Sequence, residues 1–179
     1  MDGLRRLEYR GYDSAGIAVI DDGKLRVVRA KGKLVNLESA LRDVPLAGSI
    51  GIGHTRWATH GKPTEKNAHP HVAGSVAVIG NGIVENFREL RDELTERGCV
   101  FESETDTEII SHLIEKEMAA LPEGAKRLEQ AVARAIAQMK GVYAIVVIAA
   151  RDPKKIVAAR LGPPVVVGLG ENEYFVASD

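Results

Sequence analysis

Residues 50–61 read Ile50-Gly51-Ile52-Gly53-His54-Thr55-Arg56-Trp57-Ala58-Thr59-His60-Gly61. Isoleucines alternating with glycines predict a β-strand, and a dense polar block follows it directly. Binding and catalytic side chains are commonly held on segments that leave a rigid strand. This block is therefore the first candidate for a functional site, and the rest of the chain is interpreted around it.

Strands and helices on both sides of the block predict a single α+β domain over residues 1–179. Asp22-Gly23 separates two β-type runs, at residues 15–20 and 25–30, and is a strong hairpin signal. Further strands are predicted at 76–79, 100–101, 142–150, 156–161, 165–169 and 174–177. Helical spacing predicts helices at 34–41, 85–97, 109–114 and 128–139. Short turns between most neighbouring strands favour antiparallel sheets layered with helices.

Four local features bear on the site. The stretch 61–74 is polar, carries two prolines and is predicted to be a functional loop. Gly80-Asn81-Gly82 is predicted to end a strand, and Asn-Gly is usually a turn. A turn is predicted at Asp152-Pro153. Thr105 to Glu108 matches a capping box, so Asp106 could serve only to cap a helix.

Composition excludes several classes of protein. The 179 residues include 45% hydrophobic ones, enough for an ordinary core, and the formal net charge is -1. A near-neutral chain is a poor candidate for binding nucleic acid. We expect no membrane span, because the longest apolar run is too short for one, and no targeting segment, so the expected location is cytoplasmic. Cys99 is the single cysteine, so no internal disulfide can form.

A metal centre is considered and rejected. His54, His60, His69 and His71 fall within 18 residues, but they lack the spacing of known zinc motifs. We therefore expect neither a metal nor another cofactor. Hydrolase and nucleotide-binding signatures are also missing, since Ser14 lies in no nucleophile elbow and the glycine pairs are too short for a phosphate loop.

The remaining polar groups suit an α-amino acid. Arg56 can clamp a carboxylate with two hydrogen bonds, and Asp106 can hold an ammonium group. Asn81 offers a side-chain amide beside the backbone N–H of Gly82, and these are two donors that an oxyanion hole needs. Each feature taken alone has a plainer structural explanation as an ion pair, a turn or a helix cap.

Five ordered blocks resemble the glutaminase domain of glucosamine-6-phosphate synthases, which are also called isomerising glutamine:fructose-6-phosphate aminotransferases. The match extends over nearly the whole chain. The blocks are Glu8-Tyr9-Arg10-Gly11-Tyr12-Asp13-Ser14-Ala15-Gly16, residues 54–61, Asn67-Ala68-His69-Pro70-His71, Asn81-Gly82-Ile83-Val84-Glu85-Asn86 and Ser103-Glu104-Thr105-Asp106-Thr107-Glu108.

The resemblance implies a four-layer αββα fold of the N-terminal-nucleophile, class II glutamine amidotransferase type. In that family an N-terminal cysteine attacks the glutamine amide, and the released ammonia passes to a sugar-phosphate isomerase domain. The full-length enzyme is expected to be a homodimer. Carried over by motif, the site residues divide into four roles. They are Arg56 for the α-carboxylate of L-glutamine or L-glutamate, Asp106 for its α-ammonium, Trp57, Thr59 and His60 for the pocket wall, and Asn81 with Gly82 for the oxyanion hole. Arg10 would order the nucleophile end.

The sequence also departs from the family pattern. Ahead of Leu7 the sequence lacks the nucleophilic cysteine, its strand and most of the first helix, and residue 2 is Asp. We therefore expect a chain that is truncated at both ends and does not hydrolyse glutamine. Cys99 follows a helix-ending glycine and is expected to be a structural thiol. Gly80 stands where the family commonly has histidine. Two alternatives stay open: a non-catalytic glutamine- or glutamate-binding or scaffold module, and a protein similar to glutamine phosphoribosyl-pyrophosphate amidotransferase.

Overall fold

The structure is a computed structural model that describes residues 1–58 and 61–179. Its first part contains α1 (Asp2–Leu7), a 3₁₀ turn (Glu8–Arg10), β1 (Ser14–Asp21), β2 (Lys24–Lys31), α2 (Leu34–Asp43) and β3 (Ile50–Arg56). The middle contains β4 (His71–Ala73), β5 (Val76–Val84), α3 (Phe87–Glu96), α4 (Glu108–Ala120) and α5 (Arg127–Ile136). The last part contains β6 (Gly141–Ala149), β7 (Asp152–Leu161), β8 (Val166–Leu169) and β9 (Tyr174–Ala177).

Two antiparallel sheets face each other and carry helices on their outer faces. One sheet has the order β2-β1-β3 and the other β4-β5-β6-β7, while β8 and β9 pair as a separate hairpin. Helix α2 covers the first sheet through Leu34 and Leu37, and α3, α4 and α5 cover the second. The predicted four-layer αββα arrangement is confirmed.

Strand composition explains the layering. In β1, Ala15 packs towards α2, while Ala18 and Ile20 face the opposite sheet. In β6, Ile145 and Val147 pack against the helices and Ile148 packs between the sheets. Side chains alternate across a strand, so a strand that is apolar throughout must be covered on both faces.

Two turns form as the sequence predicts. Asp22 and Gly23 both have positive φ angles, of 46° and 69°, which is the geometry of the tight turn favoured by Asp-Gly in hairpins. Gly98, with φ of 89°, ends α3, and the N–H of Cys99 donates to the carbonyl of Leu94 at 3.0 Å.

Several local predictions were wrong. No strand forms at residues 100–101. The strand predicted to end at Gly80 continues to Val84, so Asn81-Gly82 lies within β5 and is not a turn. The predicted loop 61–74 ends in the short strand β4, and β7 begins at Asp152 where a turn was predicted. The capping box does not form: Thr107 precedes α4 without a side-chain cap, and Glu108 binds the backbone of residues 102 and 103.

None of the helices in the described ranges is long and apolar enough to cross a membrane.

Candidate functional site

A cleft of about 700 Å³ opens between β3 of one sheet and β5 and β6 of the other. Its wall contains six of the eight residues predicted from the sequence, namely Arg10, Arg56, Trp57, Asn81, Gly82 and Asp106. The other two, Thr59 and His60, lie outside the described residues. Main-chain segments far apart in the sequence therefore meet at one concave site.

Arg56 ends β3 and is held on two sides. Its side chain is buried, with Nη1 3.6 Å from Oδ1 of Asp13 and Nη2 donating to the carbonyl of Gly61 at 3.3 Å. The other carboxylate oxygen of Asp13 accepts a hydrogen bond from the N–H of Ala58. Asp13 thus fixes both the guanidinium group and the chain leaving β3, so the planar guanidinium group is held in one orientation.

Asn81 and Gly82 sit on a stretch of β5 that has a strand partner on one side. β4 pairs only with residues 76–78 of β5, whereas β6 pairs along its whole length. Gly82 has φ of 129°, and a Cβ atom there would lie 2.1 Å from the carbonyl oxygen of Val142. Only glycine can pass this close to β6, so the backbone itself is exposed to the cleft at this point.

Asp106 does not cap a helix. It is buried, and its Oδ2 accepts a hydrogen bond from the N–H of Val84 at 2.8 Å, so the carboxylate is attached to the end of β5. Within the described ranges its second oxygen, Oδ1, accepts no hydrogen bond. Because Asp106 also lines the cleft, that oxygen can receive a positively charged ligand group.

The loop that carries Asp106 is fixed from α4. Glu108 accepts hydrogen bonds from the N–H groups of Glu102 and Ser103, at 2.8 Å and 2.7 Å, and from the hydroxyl of Ser103 at 2.6 Å. Burial alone would raise the pKa of Glu108, but the ring of His112, with Nε2 3.9 Å from Oε1, and these hydrogen bonds together lower it to about 2. The charged carboxylate therefore holds residues 102–108 in place.

A family model for a glutamine amidotransferase domain matches residues 54–179. The match includes the residues that close the cleft at β3, at β5 and in the loop before α4. The chain belongs to the glutamine amidotransferase domain family.

Curated relatives extend the likeness to the start of the chain. The glutamine–fructose-6-phosphate aminotransferase (isomerizing) of Rhizobium meliloti is 56% identical over 179 residues, which is 100% of this chain and 29% of that protein. The enzyme of the same name from Zymomonas mobilis is 55% identical over 177 residues, 99% of this chain and 28% of that protein. This amidotransferase domain spans about three tenths of the length of these relatives.

Solved structures agree with the fold. The glutamine phosphoribosylpyrophosphate amidotransferase of B. subtilis, solved with ADP and GMP, is 26% identical, with a TM-score of 0.78 over 98% of this chain and 38% of that one. A class-II glutamine aminotransferase domain protein from Silicibacter pomeroyi, 17% identical with a TM-score of 0.59 over 93% of this chain and 84% of that one, shares the fold. The N-terminal-nucleophile amidotransferase fold expected from the resemblance is confirmed.

Three histidines of the amidotransferase domain pack together in a stack, with His69 and His71 buried and His54 partly buried, that the sequence did not assign to the site. The ring of His69 lies 4.3 Å from that of His54 and 4.7 Å from that of His71. Nδ1 of His69 accepts the N–H of Gly80 at 3.2 Å, and Nε2 of His71 lies 2.9 Å from the hydroxyl of Thr105. The stack thus joins the strand before Asn81 to the loop before Asp106. Its signal in the sequence is the clustering of histidines, which favours hydrogen-bond partners over a metal site but does not identify the partners.

These histidines are neutral in the fold. Burial and, to a lesser extent, the positive charge of Arg56 lower the pKa of His54 to about 4. Burial and the positive charge of Arg29 lower the pKa of His71 to about 3. Burial also lowers the pKa of His69 well below its usual value. A neutral imidazole can accept from a backbone N–H, as His69 does from Gly80.

The mouth of the cleft is aromatic. Trp57 is 60% exposed and meets the ring of Tyr12 edge to face at 5.3 Å.

Arg10 lies 3.7 Å from the carboxylate of Asp179, which also accepts a hydrogen bond from the hydroxyl of Tyr9 at 2.6 Å. Arg10 therefore ties the start of the chain to its end, a contact that no local sequence signal indicates.

Cys99 lies elsewhere. Its partly buried side chain packs against the apolar cluster formed by α3, α4 and α5, and it does not line the cleft. This position agrees with the prediction of a structural thiol.

Proposed function

We propose that this chain is the glutamine-binding, ammonia-donating domain of an isomerising glutamine–fructose-6-phosphate aminotransferase. The observation that carries the proposal is the meeting of Arg56, Asp106 and Asn81-Gly82 at one cleft. The 56% identity to the Rhizobium meliloti enzyme across the whole chain favours this member of the family over an enzyme similar to the phosphoribosylpyrophosphate amidotransferase, which is 26% identical.

The substrate is L-glutamine, bound as a zwitterion. Arg56 binds its α-carboxylate and Oδ1 of Asp106 receives its α-ammonium group, so both charges of the amino acid meet an opposite charge. Trp57 covers the ligand at the mouth of the cleft, and the family motif assigns Thr59 and His60 to glutamine binding as well. L-Glutamate, the product, carries the same two charged groups and binds in the same orientation.

Asn81 and Gly82 stabilise the oxyanion formed when the side-chain amide is attacked. The N–H groups of Gly80 and Val84 point away from β6, because they donate to His69 and Asp106. N–H groups alternate in direction along a strand, so that of Gly82, midway between them, faces the same side. There it and the side-chain amide of Asn81 are available to a carbonyl oxygen as it becomes negative.

The described part of the chain presents no cysteine to the cleft. A thiolate must lie within reach of the amide carbon to form the acyl-enzyme, and Cys99 packs against the helices instead. We therefore expect this chain to bind glutamine without hydrolysing it.

Calorimetric titration with L-glutamate tests the pocket. We expect binding at one site per chain, at least about tenfold weaker in Arg56→Ala and in Asp106→Asn, since each loses a charge-assisted contact. Arg97→Ala, at the exposed position directly after α3, is the control and should bind as the parent does. Circular dichroism establishes that each variant is folded. Absence of glutamate binding by the folded parent chain would overturn the proposal.

Ammonia release tests the mechanism. The chain incubated with glutamine should release none, whereas a longer chain that carries a cysteine-initiated strand ahead of α1 should gain activity. Steady release by the chain itself, lost in Cys99→Ser, would contradict the assignment of the nucleophile.

The remaining parts of the proposal concern the whole enzyme. The curated relatives are more than three times longer than this chain, and we assign sugar-phosphate isomerisation to the additional length. Ammonia released in the cleft would be used there. A homodimeric full-length enzyme and a cytoplasmic location complete the proposal, and a protein without disulfides suits a reducing compartment.

A further inference from the structure

A second cleft, of about 830 Å³, lies at the opposite edge of the sheet sandwich. β2 and β4 are the edge strands of the two sheets on that side. β2 has eight residues and β4 only three, so most of β2 has no strand facing it across the sandwich. The mismatch in strand length leaves the space between the sheets open at this edge.

Positive charge dominates the lining of this second cleft. Four basic side chains contribute to it and one acidic side chain, Glu65, opposes them; the basic residues are Lys24, Arg29, Lys66 and Arg151. Arg151 is partly neutralised by Glu115 at 3.5 Å. The chain as a whole has a formal net charge of -1, so this concentration of cations is local.

Arg29 is the central feature of the second cleft. Its Nε donates to the carbonyl of Pro70 at 2.8 Å, and within the described ranges no carboxylate lies at ion-pair distance from its guanidinium group. Burial lowers the pKa of Arg29 although Glu102 and Glu108 act in the opposite direction from further away. A half-buried guanidinium that lines a cleft and has no carboxylate partner in the described part of the chain is stabilised when an anion accepts hydrogen bonds from it.

An apolar surface adjoins the charges. Leu25 and Val27, on the same face of β2 as Arg29, line the cleft together with Val72 of β4. Small-molecule sites commonly combine an apolar wall with a few fixed polar groups in a volume of this size. Inorganic anions would leave that wall uncovered.

We propose that the second cleft binds a phosphate ester of a small organic molecule. Arg29 and Lys66 bind the phosphate, and the organic part lies along Leu25, Val27 and Val72. The site is separate from the glutamine cleft, because the two lie on opposite edges of the sandwich and share no lining residue. Its existence does not depend on the function proposed for the glutamine cleft.

Titration calorimetry with adenosine monophosphate and with inorganic phosphate tests this site. We expect the nucleotide to bind at one site per chain and at least about tenfold more tightly than inorganic phosphate, because only the nucleotide covers the apolar wall. Binding should weaken as ionic strength rises. Equal affinity for the two probes, or no binding of either, would overturn the proposal.

Variants locate the binding. Arg29→Met should weaken nucleotide binding about tenfold or more, since a charge-assisted hydrogen bond is lost. The exposed double variant Lys24→Ala, Lys66→Ala changes no buried group, so it tests the same site if Arg29→Met fails to fold. Lys33→Ala, an exposed lysine outside the cleft, is the control. Unchanged nucleotide binding in the double variant, or equally weakened nucleotide binding in the control, contradicts the assignment. L-Glutamate binding should be unaffected in all of these variants.

Discussion

Gly82 combines two constraints at a single residue. Its φ of 129° lies in the region that side-chain-bearing residues rarely adopt, and a Cβ atom would overlap the carbonyl oxygen of Val142. Gly82→Ala should therefore lower the free energy of unfolding by at least about 2 kcal/mol, measured by urea denaturation. It should also weaken glutamate binding, because β5 must move away from β6 to make room.

Gly124 provides the matched control for this substitution. No atom lies within 4 Å of a Cβ built there, between α4 and α5. Gly124→Ala should change the free energy of unfolding by less than about 1 kcal/mol, with either sign. A comparable loss of stability in both variants would show that the close approach of β5 to β6 is not what Gly82 provides.

The extent to which the site could be predicted differs from residue to residue. Arg56, Asp106 and Asn81-Gly82 stand in blocks with family spacing, and the structure brings them to one cleft. Asp13 was not assigned to Arg56, because 43 residues separate them and only the pairing of β1 with β3 brings them together. His69 was likewise missed, since its contact with Gly80 depends on tertiary structure.

At the scale of elements, Glu108 shows how a helix organises a loop. Its carboxylate accepts three hydrogen bonds from residues 102 and 103, which an amide cannot fully replace. Glu108→Gln should lower the free energy of unfolding by about 2 kcal/mol and weaken glutamate binding through the displaced Asp106. Glu96→Gln, at the exposed end of α3, is the control for urea denaturation. Equal stability of the two variants would contradict this role.

The hairpin β8–β9 is the element with the least support. Within the described ranges it pairs with no other strand, and Val167, Leu169 and Tyr174 are largely exposed. Two-stranded sheets are marginal on their own, so its amides should exchange with deuterium much faster than those of β5 and β6. Hydrogen exchange read by mass spectrometry checks this, and protection equal to that of β6 would disprove it.

Elements with strong periodicity or a specific turn were predicted well. The hairpin of β1 and β2 follows from Asp22-Gly23, and β6 follows from its unbroken apolar run. The predictions were wrong where the residue types of a segment suggest one conformation and its strand pairing in the fold imposes another. Glycine and asparagine suggested that β5 ends at Gly80, yet β6 pairs with it as far as Val84. Residues 100–101 are apolar enough for a strand but remain outside both sheets.

At the scale of the whole molecule, the histidine stack makes stability depend on pH. The folded-state pKa values of His54 and His71, about 4 and about 3, lie below the unfolded value of 6.5. Between these limits the unfolded chain binds more protons than the folded one, so the free energy of unfolding falls as pH decreases from 6.5 towards 4. Each histidine lowers the free energy of unfolding by roughly 1 kcal/mol for each pH unit of acidification in this range. Protonation of Glu108 lowers the free energy of unfolding further at still lower pH.

Urea denaturation near neutral pH and near pH 5 measures this slope. We expect the parent chain to be several kcal/mol less stable at the lower pH, because three histidines contribute together. His71→Gln keeps a polar side chain beside Thr105 but cannot take up a proton, so its slope should be smaller by about one histidine's contribution. An identical slope in the parent and in His71→Gln would show that the stack is not the source of the acid sensitivity.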